Sequence, residues 1–456
     1  MPLLSLISDR RPNRSFGQSI YSSKLKIIAL STKQSLLYVR MRYTLGMDVC
    51  SRQSLPNYID ALNHLLSVCL PLTPVKRDLM SALGLTLAND VMADRDQPPF
   101  DRSAMDGFAM SASDIQPGCQ LSITGMVAAG ASPEHYQTPV EQGCAYRIAT
   151  GAPLPVGADV VIPIELAKVS QTEPATVSFE IDTVEPWKNI HRQGVDAHAG
   201  DKVIPAGTVL RPHHIAIAAA VGQVQLDVVP KPRVTLLTTG DEVRPPQTPT
   251  DQLQPQQIRN SNGPLVVALL SNLGVADVTH IHLPDEPEPT LDAAQNALQT
   301  SDLVLSVGGV SVGQRDHLPA TWEKLGVTKL IHGVAIKPGK PVFAAHQDQC
   351  IIVGLPGNPV SVLASFHLFV WPVICQLTQQ AQPHWQEVVL DRPAKAHPTR
   401  DQFRLVRLSD QNASIIGWQG SGDLMHTASA DGFAWLPVGA LGCETGQKVR
   451  FLPLVQ

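Results

Sequence analysis

Little in this chain points to a membrane, a disulfide framework or a nucleic-acid surface. No apolar run reaches the roughly 18 residues expected of a spanning helix. The longest candidate, from Val360 to Ile374, is interrupted by Ser361, Ser365, His367 and Pro372. The seven cysteines (Cys50, Cys69, Cys119, Cys144, Cys350, Cys375 and Cys443) lie far apart and form no CxxC pair. An odd, scattered set suits reduced thiols in a cytoplasmic protein rather than disulfides or a zinc site, and Cys350 and Cys375 are read as core thiols. Charged residues make up only 16% of the chain and the net charge is -5, whereas a nucleic-acid binder usually carries a basic face. The fifteen histidines are read as showing neither HxH nor HExxH spacing and mostly as structural or exposed. The neighbours His213 and His214 would point to opposite faces of a strand.

What is present describes an ordinary folded protein. The 456 residues are 43% apolar, enough for more than two domains. Thirty-eight prolines and thirty-two glycines are scattered, which implies many turns and no low-complexity segment. Residues 1–46 stand apart. They carry Arg10, Arg11, Arg14, Lys24, Lys26, Lys33, Arg40 and Arg42 against one acid, Asp9. Two readings fit: a transit peptide, or translated upstream sequence with the start at Met41 or Met47. The second is preferred because no clear amphipathic helix emerges.

Residues 47–93, with the return segment 202–230, read as a mixed helical linker domain. SLPNYIDALNHLLSVC and RDLMSALGLTLANDV look helical, with Ser54 as a cap ahead of Pro56. Residues 94–201 form a β-rich domain, with short strands at 120–127, 144–148, 159–163 and 175–181 between Gly/Pro turns. Pro230-Lys231-Pro232 marks a stiff boundary. From 231 to 378 strands alternate with helices: VTLLTTG, NGPLVVALLSNLG (capped by Asn262, stopped by Gly274), VTHIHL, EPTLDAAQNAL, DLVLSVGG, DHLPATWEKLG, IIVGL and a helix from Asn358. That alternation predicts an open, doubly wound parallel sheet with helices on both faces. Residues 379–456 return to short strands, a terminal β domain. The fold class is multidomain α/β plus β.

Candidate chemistry collects where strands of the α/β domain end. In SDLVLSVGGVSVGQRD a buried apolar strand stops at Gly308-Gly309, followed by Ser311, Gly313 and Asp316. Glycines there let the backbone approach a ligand closely. IKPGKP sets Lys337 and Lys340 on a proline-stiffened loop, as compact cations for an oxyanion. In GLPGNPVS, Pro359 fits a first helical position and the free N–H groups suit an anion. Thr239-Gly240-Asp241-Glu242 adds carboxylates on the same edge, and acids beside an anion site call for a cation such as Mg2+. A phosphorylated ligand, Mg2+ and a second oxyanion satisfy these demands together. In the β-rich domain, Asp106-Gly107 reads as a turn, and Ser103 and Asp106 have no nearby histidine for a nucleophile–base pair.

Seven segments, PPFDRSAMDGFAM, RIATGAPLPVGADVV, TTGDE, SNGPLV, SVGGVSVGQRD, IKPGKP and LPGNPVS, occur in this order. Together they resemble the molybdopterin molybdenumtransferases, the MoeA family, related to the gephyrin E domain and the plant Cnx E domain. The resemblance covers Met47 to the carboxyl terminus. It implies a MogA-like α/β domain, a β-rich lid, a mixed linker and a C-terminal β domain. It further implies insertion of molybdate into adenylylated molybdopterin, with Mg2+-dependent release of AMP. By resemblance, Glu242 and Asp316 help hold metal and pyrophosphate beside the turn of Gly308, Gly309, Ser311 and Gly313, with Asp285 a weaker metal candidate. Lys337 and Lys340 bind molybdate or phosphate, and Pro356, Gly357 and Pro359 shape the pocket wall. Asp106, Thr150 and Asp196 act from the partner subunit of a homodimer that shares the site. A molybdopterin adenylyltransferase would be the substrate donor. SVGQRDH departs from the commoner acidic form, with Gln314 and Arg315 in place of some negative charge. A MogA-type adenylyltransferase and a gephyrin-like scaffold are the alternatives.

Overall fold

The computed structural model describes residues 55–170, 173–309, 317–439 and 442–455. The basic amino-terminal segment, Ser54, Ser311, Gly313 and Asp316 lie outside the described residues.

The first helix among the described residues, Tyr58–Leu66, begins at Asn57, whose side chain accepts the Asp60 N–H at 2.9 Å. Its buried face (Tyr58, Ala61, Leu65) joins the main core. The Tyr58 ring stands edge-on to Phe403, Trp435, Phe369 and Trp385, with centroids 5.2, 5.4, 5.8 and 6.3 Å away. Aromatic burial of this kind, in offset and edge-on pairs, is a large apolar contribution. The second expected helix does not form. Val75–Asp78 and Thr86–Leu87 are strands flanking a short 3-10 turn, Leu79–Ala82, and both pair with Gln225–Val229. The helical periodicity of that stretch yields to pairing with a strand almost 150 positions later, a partner invisible to local pattern.

His213 and His214 also depart from expectation. They open a helix, Pro212–Ala220, and not a strand, with ring centroids 4.0 Å apart. The β-rich strands fall where the pattern puts them: Leu121–Val127, Cys144–Ile148, Val160–Pro163 and Thr176–Phe179, in one six-stranded sheet with Gly107–Met110. Gly107 is required there by a close approach, since an added Cβ would fall 2.0 Å from the Ile162 carbonyl oxygen.

The α/β domain comprises β1 (Val234–Thr239), α1 (Asn262–Asn272), β2 (Val278–Leu283), α2 (Pro287–Thr300), β3 (Leu303–Val307), α3 (Leu318–Lys324), β4 (Thr328–His332), β5 (Phe343–Gln347), β6 (Cys350–Leu355) and α4 (Pro359–Ser365). The sheet order is β2-β1-β3-β6-β5-β4. β3 and β6 are buried at every position, which explains their unbroken apolar runs. The sheet is mixed: β2, β1, β3 and β6 are parallel, while β5 runs antiparallel to both β6 and β4. The short β5–β6 turn at Asp348-Gln349, with Asp348 at φ +51°, allows that reversal. Helix α4 continues through a π-helical turn, Phe366–Val370, into Trp371–Leu377. By length and composition Pro359–Leu377 could cross a membrane, but 89% of its most apolar window is buried in the protein.

After Gln386 five strands close into a barrel. Asp401–Ser409 pairs with Asn412–Ile415 and Gly432–Leu436, and the ring completes through Lys448–Pro453 and Gln386–Leu390. A barrel leaves no free edge. Ile336–Lys337 adds in parallel at Asp401–Gln402, tying the lysine loop to the barrel.

Candidate functional site

The sheet order creates a crevice. From β1 the chain crosses to β2 on one side, and from β3 it moves to β4 at the far edge. Loops leaving the carboxyl ends of β1 and β3 therefore part company, which is where open α/β sheets bind ligands. Three backbone segments crowd there. An added Cβ at Gly308 would stand 3.1 Å from Thr239 Oγ1, and one at Gly357 would stand 3.9 Å from Gly308 Cα. Gly308 and Gly309 have φ +85° and +64°, a left-handed pair that glycine adopts without strain. The ends of β3 and β6 thus meet as bare glycine backbone, with the Thr239 hydroxyl and carbonyl of β1 beside them.

Carboxylates line the β1–β2 side. The Asp241 N–H donates to Asp285 Oδ2 at 3.3 Å, and the Asp285 N–H donates to Asp241 Oδ1 at 3.2 Å. This reciprocal pair clamps the two loops together. Asp285 shares a depression with Thr239 and Gly309. Glu242 is exposed, with its carboxylate folded over Gly240, and its carbonyl accepts the Ile258 N–H at 2.9 Å. Among the described residues, none of these three acids has an ion-pair partner. Unneutralised oxygen donors beside an anion-binding turn fit a hard cation such as Mg2+. No group of three His, Cys, Asp or Glu that could hold a metal forms among the described residues, so a cation here would also draw oxygens from substrate.

The opposite side is basic. Lys337 and Lys340 are exposed on the loop between β4 and β5, at the same edge of the sheet. The Lys340 carbonyl accepts the Val334 N–H at 2.9 Å, and Gly339, at φ +101°, packs against Ser365 at the end of α4. Arg400, just ahead of the barrel strand Asp401–Ser409, and Lys337 both lie near His397. Partial desolvation, then the positive charges of Arg400 and Lys337, hold the His397 imidazole below its ordinary value. The α4 turn is fixed from two directions. Asn262 Nδ2 donates to the Gly357 carbonyl at 2.7 Å, and Asn358 Nδ2 donates to Ser421 Oγ at 2.9 Å. Asn262 does not cap its helix as the sequence suggests, since Ser261 is the N-cap of α1; Asn358 occupies the N-cap of α4 but makes no side-chain cap bond. Pro356 is buried, Gly357 is exposed and Pro359 occupies the first turn of α4.

In the β-rich domain the structure unites Asp106 and Thr150. Asp106 Oδ1 accepts the Thr150 N–H at 2.7 Å. That bond and the Thr150 hydroxyl hold the Asp106 carboxyl below its ordinary value. Ser103 links the neighbouring strands: its N–H donates to the Ala152 carbonyl, its carbonyl accepts the Gly151 N–H, and it pairs with Ile190. Next to Ile190, His191 Nε2 lies 2.9 and 3.0 Å from the Asp196 carboxylate oxygens. No hydrogen bond or ion pair among the described residues joins Asp106, Thr150 or Asp196 to the α/β crevice.

Sequence reasoning missed three participants. Arg400 and Ser421 come from the barrel domain, where nothing local marks them. The third corrects the reading of the histidines: His280-Ile281-His282 is an HxH spacing, lies beside the crevice on β2, and puts both rings on one face of the strand. Both rings meet Thr238 Oγ1, His280 through Nε2 and His282 through Nδ1, each at 3.0 Å.

A doubly wound α/β domain with a glycine-lined crevice at its switch point, fused to a β-rich domain and a closed barrel, defines a multidomain protein built to hold a ligand at the carboxyl ends of its strands. The comparisons specify it. Residues 56–222 match the MoeA N-terminal region (domains I and II), residues 235–376 a probable molybdopterin binding domain, and residues 387–454 the MoeA C-terminal region (domain IV). The chain is 34% identical over 385 residues to the molybdopterin molybdenumtransferase of Bacillus subtilis, covering 82% of this chain and 88% of that one. It is 37% identical over 326 residues to that of Synechococcus elongatus, covering 69% and 79%. Among solved structures, the molybdopterin biosynthesis MoeA protein of Pyrococcus horikoshii superimposes with TM-score 0.73 at 28% identity, covering 89% of this chain and all of that one. The chain belongs to the molybdopterin molybdenumtransferase family.

Proposed function

We propose that this chain inserts molybdate into adenylylated molybdopterin and releases AMP, completing the molybdenum cofactor. The convergence of Thr239, Gly308 and Gly357 carries the reading: bare backbone at a switch point suits a pyrophosphate. A basic loop on the same edge suits a second oxyanion. Lys337 and Lys340 would neutralise molybdate as it approaches the dithiolene sulfurs, and Asn262 would keep the Gly357 turn in register. Glu242, Asp285 and Asp316 would hold Mg2+, which supplies charge neutralisation at the pyrophosphate.

A homodimer would complete the site. Asp106, Thr150 and Asp196 of a second copy would close over the crevice, exclude water and add acids where the first copy supplies backbone donors. The carboxylate that Thr150 holds ionised favours this over an adenylyltransferase, which needs the α/β domain alone, and over a scaffold, which needs no such acid. A molybdopterin adenylyltransferase would hand over the substrate in the cytoplasm.

The test supplies purified protein with adenylylated molybdopterin, Mg2+ and molybdate, and follows AMP together with reconstitution of a cofactor-free molybdoenzyme. Molybdate-dependent AMP release with active product is expected. Tight binding without turnover by folded protein would favour a scaffold.

A further inference from the structure

We infer that His280 and His282 form a two-imidazole site for a borderline divalent cation of the zinc or nickel class, separate from the magnesium-type carboxylates. Three observations carry it. First, β2 is the edge strand of its sheet, so side chains along it are reachable from solvent, and both histidines are exposed. Second, the rings share one face and aim at a common point, with His280 Nε2 and His282 Nδ1 each 3.0 Å from Thr238 Oγ1. Their separation is at most twice that distance, short enough for one cation to bridge them if the rings turn towards it, zinc taking imidazole nitrogen at roughly 2.0–2.1 Å. Third, the Thr238 hydroxyl has one hydrogen. It can donate to one ring and must accept from the other, so at least one ring nitrogen presents a lone pair to the pocket.

The chemistry selects the ion. Imidazole suits zinc and nickel, whereas carboxylate and water suit magnesium. Partial desolvation of the His280 ring against the start of α1, then the neighbouring His282, disfavours the charged form of His280, which leaves it available as a ligand. No lysine or arginine forms an ion pair or hydrogen bond at this cluster among the described residues. An added Cβ at Gly263 would fall 2.4 Å from His280 Cε1, so this glycine at the start of α1 leaves room for the ring. Binding needs no net proton release above the imidazole pKa values. The ring that donates to Thr238 shifts its proton to the far nitrogen, and both lone pairs then face the cation. With two protein nitrogens, water would fill the remaining positions. Thr238 precedes Thr239, so an ion here would brace the end of β1 without entering the crevice.

The test is isothermal titration of the whole protein with Ni2+, in the presence of millimolar Mg2+, against His280→Gln and His282→Gln. Each variant is expected to lose one equivalent, or to weaken it at least tenfold, with Mg2+ causing no competition. Retention of that equivalent by both variants would overturn the site, and loss in one variant alone would reduce it to a single monodentate histidine and also overturn it. Zinc-edge X-ray absorption on the unaltered protein at one equivalent gives a readout independent of folding of the variants. Outer-shell scattering from two imidazoles is expected, and an oxygen-only shell would refute the inference.

Discussion

Asp106 and Thr150, forty-four positions apart, meet through a 2.7 Å bond from the Thr150 N–H to Asp106 Oδ1. A backbone donor cannot be mutated away, so the charge on this carboxylate is built into the sheet. Replacing Asp106 with Ala or Asn should lower molybdate insertion by roughly 10²-fold or more, while circular dichroism and oligomeric state stay unchanged. Full turnover by either variant would remove Asp106 from the site.

The acid titration of Asp106 follows from the same bond. Its folded pKa lies below the ordinary carboxylate value, so the bond's stabilisation is fully present above that ordinary value and is lost as pH falls through the folded pKa. NMR titration of the Asp106 carboxyl should give a midpoint that rises towards the ordinary value in Thr150→Val, which removes the hydroxyl but keeps the N–H.

If the site is shared between two copies, mixing Asp106→Ala with Asp316→Ala should restore part of the activity through mixed dimers. Demonstrated subunit exchange with no recovery would argue for a site within one chain.

Lys337→Ala should raise the molybdate concentration for half-maximal rate. A hydrogen bond to a charged group contributes about 1.5–3 kcal/mol, so an increase of roughly tenfold to a hundredfold is expected. Initial rates against molybdate measure it, and an unchanged KM would place the oxyanion elsewhere.

His367 supplies a pH dependence of stability. Its ring is fully buried, its Nδ1–H donates to the Leu363 carbonyl at 2.7 Å, and Nε2 accepts the Val455 N–H at 2.9 Å. Burial pushes its pKa from 6.5 down to about 4. Between these values the unfolded chain binds the extra proton, so stability falls as pH drops from 6.5 towards 4. The loss amounts to about 3 kcal/mol. Urea unfolding at pH 7.5 and 4.5 should show it, and His367→Gln should flatten that part of the slope.

The strands of the α/β core are legible in the sequence because helices cover both faces and leave Leu303 to Val307 and Ile351 to Leu355 nearly all apolar. The glycines at 308 and 309 are legible for the same local reason: a left-handed turn has few chemical solutions. What escaped depends on partners far along the chain. Val75–Asp78 is a strand only because Gln225–Val229 pairs with it. Asn262 and Asn358 look like caps, yet spend their amides on Gly357 and Ser421. The histidine pair was local and readable, since alternate positions of an exposed strand share a face.

Tyr58 has a consequence for synthesis. Its helix leaves the ribosome early, but the rings that receive it, Phe369, Phe403 and Trp435, are among the last to emerge. At about 5–20 residues per second the helix waits on the order of half a minute with an apolar face uncovered. The Tyr58 helix is thus a late-closing latch: it can begin to dock once Phe369 is made, but a chain truncated before Trp435 cannot complete it.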